Sequence, residues 1–283
     1  MWTSIEPILQ RAAADESRFA GVTTLGVDEH LWHHVSPRKR GPKELTGMVD
    51  LTRDVHGRTR ARLLDLVPGR SGEAYRSWLH DRGPAFRDRV EIATLDPFRG
   101  YKNAIDDKLA DATAVLDAFH VVALASRAVD EVRRRVQQEI HGHRGRSGDP
   151  LYGARRTLHT GADLLTDRQR ERIEALFATD EHVEVEATWG IYQRMIAAYR
   201  EPDKKKAKEM MRSVIDSVSS GVPAMLAEIR RLGRTLKQRA ADVLAFFDLP
   251  GTSNGPTEAI NGRLEHLRGS ALGFRNLANY TAR

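Results

Sequence analysis

The sequence predicts an α/β protein: a mixed sheet with helices on both faces, interrupted by an all-helical segment before its last helix. Three observations point there. Apolar runs of strand length end on acids at Thr24–His30 (TLGVDEH) and Val90–Asp96 (VEIATLD). Strands come first and then alternate with helical patterns, the order that yields a mixed sheet covered on both sides. From residue 150 to about 245 the periodicity is almost wholly helical.

Residues 2–16 carry Ile5, Ile8 and Leu9 at helical spacing, a short amphipathic helix. Thr24–His30 is the first strand and Leu45–Thr52 the second. His56-Gly57 turns the chain, and Ala61–Val67 returns as the third, completing an antiparallel meander that Pro68-Gly69 ends. Residues 71–82 are helical, with Ala74, Trp78 and Leu79 on one face. Val90–Asp96 is the fourth strand, 102–110 a short helix, and Ala112–Val121 a fifth strand running into a basic helix over about 121–140. His141–Asp149 (HGHRGRSGD) is a polar loop. Leu164–Phe177, Ile191–Tyr199, Ala207–Val218 and Pro223–Phe247 favour helix, with a short strand expected at Val183–Ala187. Ser253 or Asn254 caps the last helix, and Pro256 sits in its first turn. The expected divisions are a linker helix over 1–20, a first core part over 21–141, a helical insertion over 142–250 and a final core part over 251–283.

The chain has 283 residues, with 45 Lys+Arg against 39 Asp+Glu, a formal charge of +6 and no cysteine. The absence of cysteine excludes disulfides, thiolate zinc sites and cysteine nucleophiles. The basic balance favours a polyanionic partner. No apolar run approaches the roughly 20 residues of a membrane span, and the first residues lack the apolar core of a secretory signal. A cytoplasmic protein is expected, on the nucleoid when bound to DNA.

Three acids stand out. Asp28 and Asp96 each close an apolar strand, where α/β sheets bind ligands. Glu258 lies near the start of the last helix, whose apolar positions Ile260, Leu264 and Leu267 are expected to pack on the sheet and bring the acid toward the strand ends. Like charges so placed repel unless a cation neutralises them. An all-oxygen donor set suits Mg²⁺ or Mn²⁺, and two such ions about 4 Å apart serve phosphodiester chemistry. Glu29 and Glu265 are rivals. Glu29 alternates to the other sheet face, and Glu265 lies two turns further on. Strand-end aspartates also cap turns in many proteins. His30, His33 and His34 match no common zinc spacing.

The set GVDEH, ATLDPFRGY, DAFHVV, AVDEVRRRVQQ, HRGRSGDPLY and SNGPTEAINGRLEHLRGSALGFRNLANY resembles the catalytic portion of DDE transposases of the ISL-three insertion-sequence family, over residues 20–283. The resemblance implies a ribonuclease-H-like fold with a helical insertion, and places the family's Asp, Asp and Glu on Asp28, Asp96 and Glu258. It implies metal-dependent cleavage and strand transfer on transposon ends and target DNA, with a homodimer holding two ends. Such proteins usually carry an N-terminal zinc module and helix-turn-helix. Neither is present here, so a truncated transposase is expected.

Asp117 and His120 are candidate auxiliary groups beside that site, or else a hydrogen-bonded strand end. Arg144, Arg146, Asn261, Arg263 and Arg268 are candidate DNA contacts, with a solvated basic face as the alternative for Arg144 and Arg146. Lys204, Lys205, Lys206 and Lys208 read as an exposed helix face, and Trp189 and Tyr192 as core rather than a stacking platform. Two rival functions remain open: a non-catalytic DNA-binding or dimerising remnant that inhibits a full-length transposase, and a nuclease of the same fold.

Overall fold

A computed structural model describes residues 2–32, 41–270 and 277–281. His33 and His34 lie outside the described residues. The chain divides into two compact units, Met1–Asp117 with Thr252–Arg283, and Ala118–Gly251.

The first unit opens with α1 (Trp2–Ala14) and a 3₁₀ turn at Glu16–Phe19. Its sheet contains β1 (Thr24–Leu31), β2 (Glu44–Asp50), β3 (Arg62–Pro68), β4 (Ile92–Leu95) and β5 (Thr113–Leu116). The strand order is β3-β2-β1-β4-β5. β1, β2 and β3 pair antiparallel, while β4 and β5 join β1 in parallel. This is the expected ribonuclease-H-like arrangement. Leu25, Val27, Met48, Val49, Ala93, Leu95, Val115 and Leu116 are buried, so the strands read as apolar runs because both sheet faces are covered.

Between β3 and β4 stand α2 (Gly72–Asp81) and α3 (Pro84–Arg87), and between β4 and β5 stands α4 (Arg99–Lys108). Ser71 starts α2 by accepting from the Ala74 N–H at 3.0 Å. α2 and α4 cross at Gly72 and Gly100, where a Cβ on Gly72 would come within 2.6 Å of the Gly100 carbonyl oxygen. On α4, Tyr101 Oη hydrogen-bonds Thr46 Oγ1 at 3.2 Å, which assigns α4 to the Thr46 face.

The second unit is helical throughout its described elements: α5 (Ala118–His141), α6 (Pro150–Gly153), α7 (Asp167–Phe177), α8 (Val183–Arg200), α9 (Lys204–Ser219), α10 (Ala227–Gln238) and α11 (Ala240–Asp248). α5 begins directly after Asp117, earlier than about residue 121, and belongs to this unit. The strand expected at Val183–Ala187 is instead the first turn and a half of α8. Its β-branched Val183 and Val185 are outweighed by the helical burial pattern Val185, Thr188, Tyr192, Met195, Ala198. Pro223–Phe247 is two helices, broken at Arg239. Thr166 and Gln169 form a reciprocal capping box on α7, and Asp203 caps α9. At the centre, Arg135 on α5 donates to Glu228 Oε1 on α10 at 2.9 Å and to Glu184 Oε2 on α8 at 2.5 Å.

The chain then returns to the first unit with α12 (Gly255–Ser270) and α13 (Leu277–Thr281). Leu264, Leu267 and Leu277 pack around Trp32, Leu45, Leu66 and Tyr280.

Candidate active site

The β1–β4 ladder ends at the pair Gly26 with Thr94. Asp28 lies two residues further along β1, and Asp96 follows β4 directly. Asp117 follows β5 directly, its N–H donating to the Leu95 carbonyl at 3.0 Å. Three aspartates thus stand where the parallel part of the sheet ends. The sequence predicts that Asp28 closes its strand, and the structure corrects this. β1 continues to Leu31 because its antiparallel pairing with β2 runs on to Glu44. All three aspartates are buried.

Sheet alternation then decides what lies over them. Asp28 pairs with Gly47 and Glu29 with Thr46, so Asp28 and Gly47 face away from α4. α12 lies on that face. A Cβ on Gly26 would overlap Thr257 Oγ1 and come within 2.8 Å of Leu51 Cδ1, and one on Gly47 would stand 3.8 Å from Asn261 Oδ1. The two glycines let α12 approach the strands.

Asn254, just before α12, holds that approach. It is fully buried. Its Oδ1 accepts from Thr94 Oγ1 of β4 at 2.9 Å, and its Nδ2 donates to the Val27 carbonyl of β1 at 3.3 Å. Its backbone N–H donates to Asp117 Oδ1 at 2.9 Å, and Ser253 Oγ donates to the same oxygen at 3.1 Å. One residue therefore joins the helix start to three strands. Its carbonyl accepts the Glu258 N–H at 3.1 Å, so Glu258 sits one turn from this anchor. A carboxylate oxygen of Glu258 and one of Asp117 lie within 4.8 Å. Asp28, Asp96 and Glu258 do not form a set of that spacing among the described residues.

The strand acids are oriented by donors. Asp28 Oδ1 accepts from the Glu29 N–H at 2.8 Å and Oδ2 from Asn261 Nδ2 at 3.0 Å. Asn261 Nδ2 also reaches the Glu29 carbonyl at 3.1 Å. Asp96 Oδ1 accepts from the Phe98 N–H at 2.9 Å, and Oδ2 lies 3.8 Å from Arg70 Nη2. Arg70 also pairs with Glu29 and lies over the Phe98 ring at 4.9 Å. Burial lifts the Glu29 carboxyl above the usual range, with Arg70 opposing and Asp96 adding to the lift. Burial likewise raises the Tyr101 phenol; the Thr46 hydrogen bond opposes this, and Asp96, Glu29 and Asp28 push it further up. Asp28, Asp96 and Asp117 form a region of buried carboxylates at this end of the sheet. Such a region, with oxygen donors alone, fits a hard divalent cation.

The other expected residues are placed as follows. His120 is in the first turn of α5, in the second unit. Arg144 and Arg146 follow α5 in the polar loop. Arg263 is exposed on α12. Arg268 donates to the Leu31 and Trp32 carbonyls at 2.9 and 3.0 Å and pairs with Glu265. The helix face expected from Ile260, Leu264 and Leu267 is only partly the packed one. The residues turned to the sheet are Asn254, Thr257, Asn261, Leu264 and Arg268, and Ile260 is half-buried beside them. Sequence reasoning took Asn254 only as a cap and passed over Thr257 and Arg70. The available signal was the pairing of small or polar residues at 254, 257 and 261 with glycines at 26 and 47.

Two curated relatives from Mycobacterium tuberculosis, strains CDC 1551 / Oshkosh and ATCC 25618 / H37Rv, are each named "Transposase for insertion sequence element IS1557". Each is 24% identical over 305 residues, covering 97% of this chain. The chain spans 63% of the length of these relatives. The Drosophila P element transposase strand transfer complex matches with a TM-score of 0.46 at 10% identity, over 97% of this chain and 78% of that one. A family described as "Transposase", of the ISL-three DDE type, matches residues 25–283. The chain belongs to the ISL-three family of DDE transposases.

Proposed function

We propose that this chain carries the catalytic site of a DNA transposase, cutting DNA at the ends of an insertion sequence and joining them to target DNA. The observation that supports this best is the buried Asn254 anchor, which ties the Glu258 helix to the strands bearing Asp28 and Asp96.

Asp28, Asp96 and Glu258 are the proposed catalytic groups and would hold two Mg²⁺ or Mn²⁺ ions. When bound, such ions activate an attacking oxygen and stabilise the leaving one. The residues supply orientation: Asn261 and the Glu29 N–H turn the Asp28 carboxylate, and the Phe98 N–H turns Asp96. In cleavage, a water oxygen bonds to phosphorus, the P–O3′ bond breaks, and the 3′ oxygen takes a proton. In joining, that 3′-hydroxyl loses its proton, bonds to a target phosphorus and expels a target 3′ oxygen. No covalent protein–DNA bond is needed. Asp117 supports the site by holding the N-terminus of α12. A homodimer would hold two DNA ends together, in the cytoplasm and on the nucleoid. No helix among the described residues is long and apolar enough to cross a membrane.

The test is Mn²⁺-dependent joining of a labelled, pre-nicked DNA end to a plasmid, run beside Asp96→Asn. Joined products that vanish in the variant are expected. No joining by either protein, with equal DNA binding by both, overturns the catalytic reading and favours a non-catalytic DNA-binding role.

A further inference from the structure

We infer that α10 and the turn after α9 form a second DNA-binding surface, in which Arg230, Arg234 and Lys237 hold backbone phosphates of one strand. The inference rests on the DNA reading above and adds a place on the molecule that the proposed active site does not include.

α10 reads AEIRRLGRTLKQ. Ile229, Leu232, Gly233 and Leu236 are buried, which turns positions 230, 234 and 237 to solvent as one row. The three cations on that row have no ion pair or hydrogen-bonded side-chain partner among the described residues. Neighbouring cations are engaged. Arg231 pairs with Glu131, and Arg135 takes Glu139, Glu184 and Glu228. Like charges four residues apart repel along a helix, and no ion pair among the described residues relieves these. An anion from outside would.

A surface pocket of about 330 Å³ lies at one end of the row. Arg230 and Arg234 line it together with Ser219, Ser220 and Gly221 of the turn. Two guanidiniums and the Ser220 hydroxyl are donors suited to a phosphodiester. The C-terminal end of α9 also reaches this turn and carries roughly half a negative charge. That is less than the two positive charges facing it. Close packing keeps the parts together: a Cβ on Gly233 would overlap the Val218 carbonyl.

The spacing suits a strand backbone. Seven residues of helix span about 10.5 Å. Phosphates of one strand rise about 3.4 Å per step along the B-DNA axis while winding around it, so they stand further apart than that through space, and the row reaches neighbouring phosphates of one strand. Contacts of this type position DNA without reading its bases.

The alternative is that the arginines only complement the α9 C-terminus. Fluorescence anisotropy separates the two, using the whole chain, a labelled duplex of arbitrary sequence and a series of NaCl concentrations. R230A/R234A is compared with R168A/R172A, which removes the same charge from exposed positions on α7. We expect R230A/R234A to bind more weakly and to lower the slope of log affinity against log salt by about 2. Its deficit relative to wild type should shrink about tenfold between roughly 50 and 200 mM salt. R168A/R172A should stay near wild type. Equal slopes for the two double variants overturn the proposal. So does a lower melting temperature for R230A/R234A with unchanged affinity, which assigns the arginines to α9. Thermal stabilisation of wild type by inorganic phosphate, lost in R230A/R234A while duplex binding is unchanged, would give the pocket to a free anion and also overturn it. If wild type joins DNA while R230A/R234A binds duplex normally, this surface alone is refuted. A wild-type chain that binds no duplex refutes the DNA reading with it.

Discussion

Asn254→Ala tests the anchor of α12. The change leaves the backbone N–H that donates to Asp117 and removes both side-chain hydrogen bonds, from Thr94 Oγ1 at 2.9 Å and to the Val27 carbonyl at 3.3 Å. Thr94 is buried, and its hydroxyl loses this partner, as does the Val27 carbonyl. Each buried polar group left without its partner costs about 1–3 kcal/mol, so the loss of two is about 2–6 kcal/mol. A domain in the upper part of the ordinary range of about 5–15 kcal/mol stays folded through that. Urea unfolding measures the loss. The functional effect is separate. Glu258 sits one turn from Asn254, and a displacement of about 1 Å at a reacting centre lowers rate about 100-fold. Joining by the folded variant should therefore fall by that order, measured where both proteins are fully native. Asn254→Asp sharpens the test. It keeps the shape and replaces the donor to Val27 with a carboxylate oxygen, and it also sets a negative charge near Asp117. It should be worse than alanine on both measures. An alanine variant that loses stability yet joins at the wild-type rate would show that Asn254 does not place Glu258. An aspartate variant as stable as wild type would refute the assignment of Nδ2 as donor.

Other residues give independent tests. Asn261→Ala removes the donor on Asp28 Oδ2 from a half-buried position, so it should cost about 1 kcal/mol in urea unfolding while joining needs more Mn²⁺ for half its maximal rate; unchanged Mn²⁺ dependence counts against the role. Gly26→Ala puts a methyl into Thr257 and Leu51, so it should destabilise by about 1–3 kcal/mol and reduce joining, because α12 must move off the strands; a stable, active variant would show that the contact yields cheaply. Arg135→Met leaves Glu184 and Glu228 without their cation. Allowing for partial exposure, we expect a loss of about 2–4 kcal/mol at neutral pH. The pH dependence follows from Glu228. Burial raises its carboxyl, and the Arg135 hydrogen bond with the cation's charge more than offsets this, leaving the net value below its ordinary 4.5. That contribution is present above pH 4.5 and fades as pH falls through the lower folded value. Denaturation curves for the variant should lose this acid limb, and an unchanged limb would assign it to another carboxylate.

The sheet was largely legible because its strands are apolar runs separated by turn residues, and the acids Asp28 and Asp96 mark β1 and β4 even though β1 runs on past Asp28. Asp28, Asp96 and Glu258 were nominated on the same signal, from strand ends and the start of the last helix. The boundary near Asp117 was harder, since ATAVLDAFHVV is equally apolar as strand and as helix. Only the β4 ladder, which carries on to the Asp117 N–H, shows where extended backbone ends. Val183–Ala187 misled for a related reason: two valines in five residues suit a strand, but a buried stripe continuing to Ala198 requires a helix.

The packing of α12 was illegible for a deeper reason. Hydrophobic periodicity assumes that a helix turns its apolar stripe to the sheet. Here the sheet offers glycine at 26 and 47 beside the Thr94 hydroxyl and the Asp28 carboxylate, so the complementary face is small and polar. Thr257 fits over Gly26, Asn254 satisfies Thr94, and Asn261 satisfies Asp28. The leucines take over only further along, at 264 and 267, where the helix reaches Trp32 and Leu45. A helix end that must sit close to carboxylates cannot present leucine to them, since their desolvation would go uncompensated. The sequence sign of such a site is therefore a gap in the apolar stripe, placed opposite glycines on the strands that carry the acids.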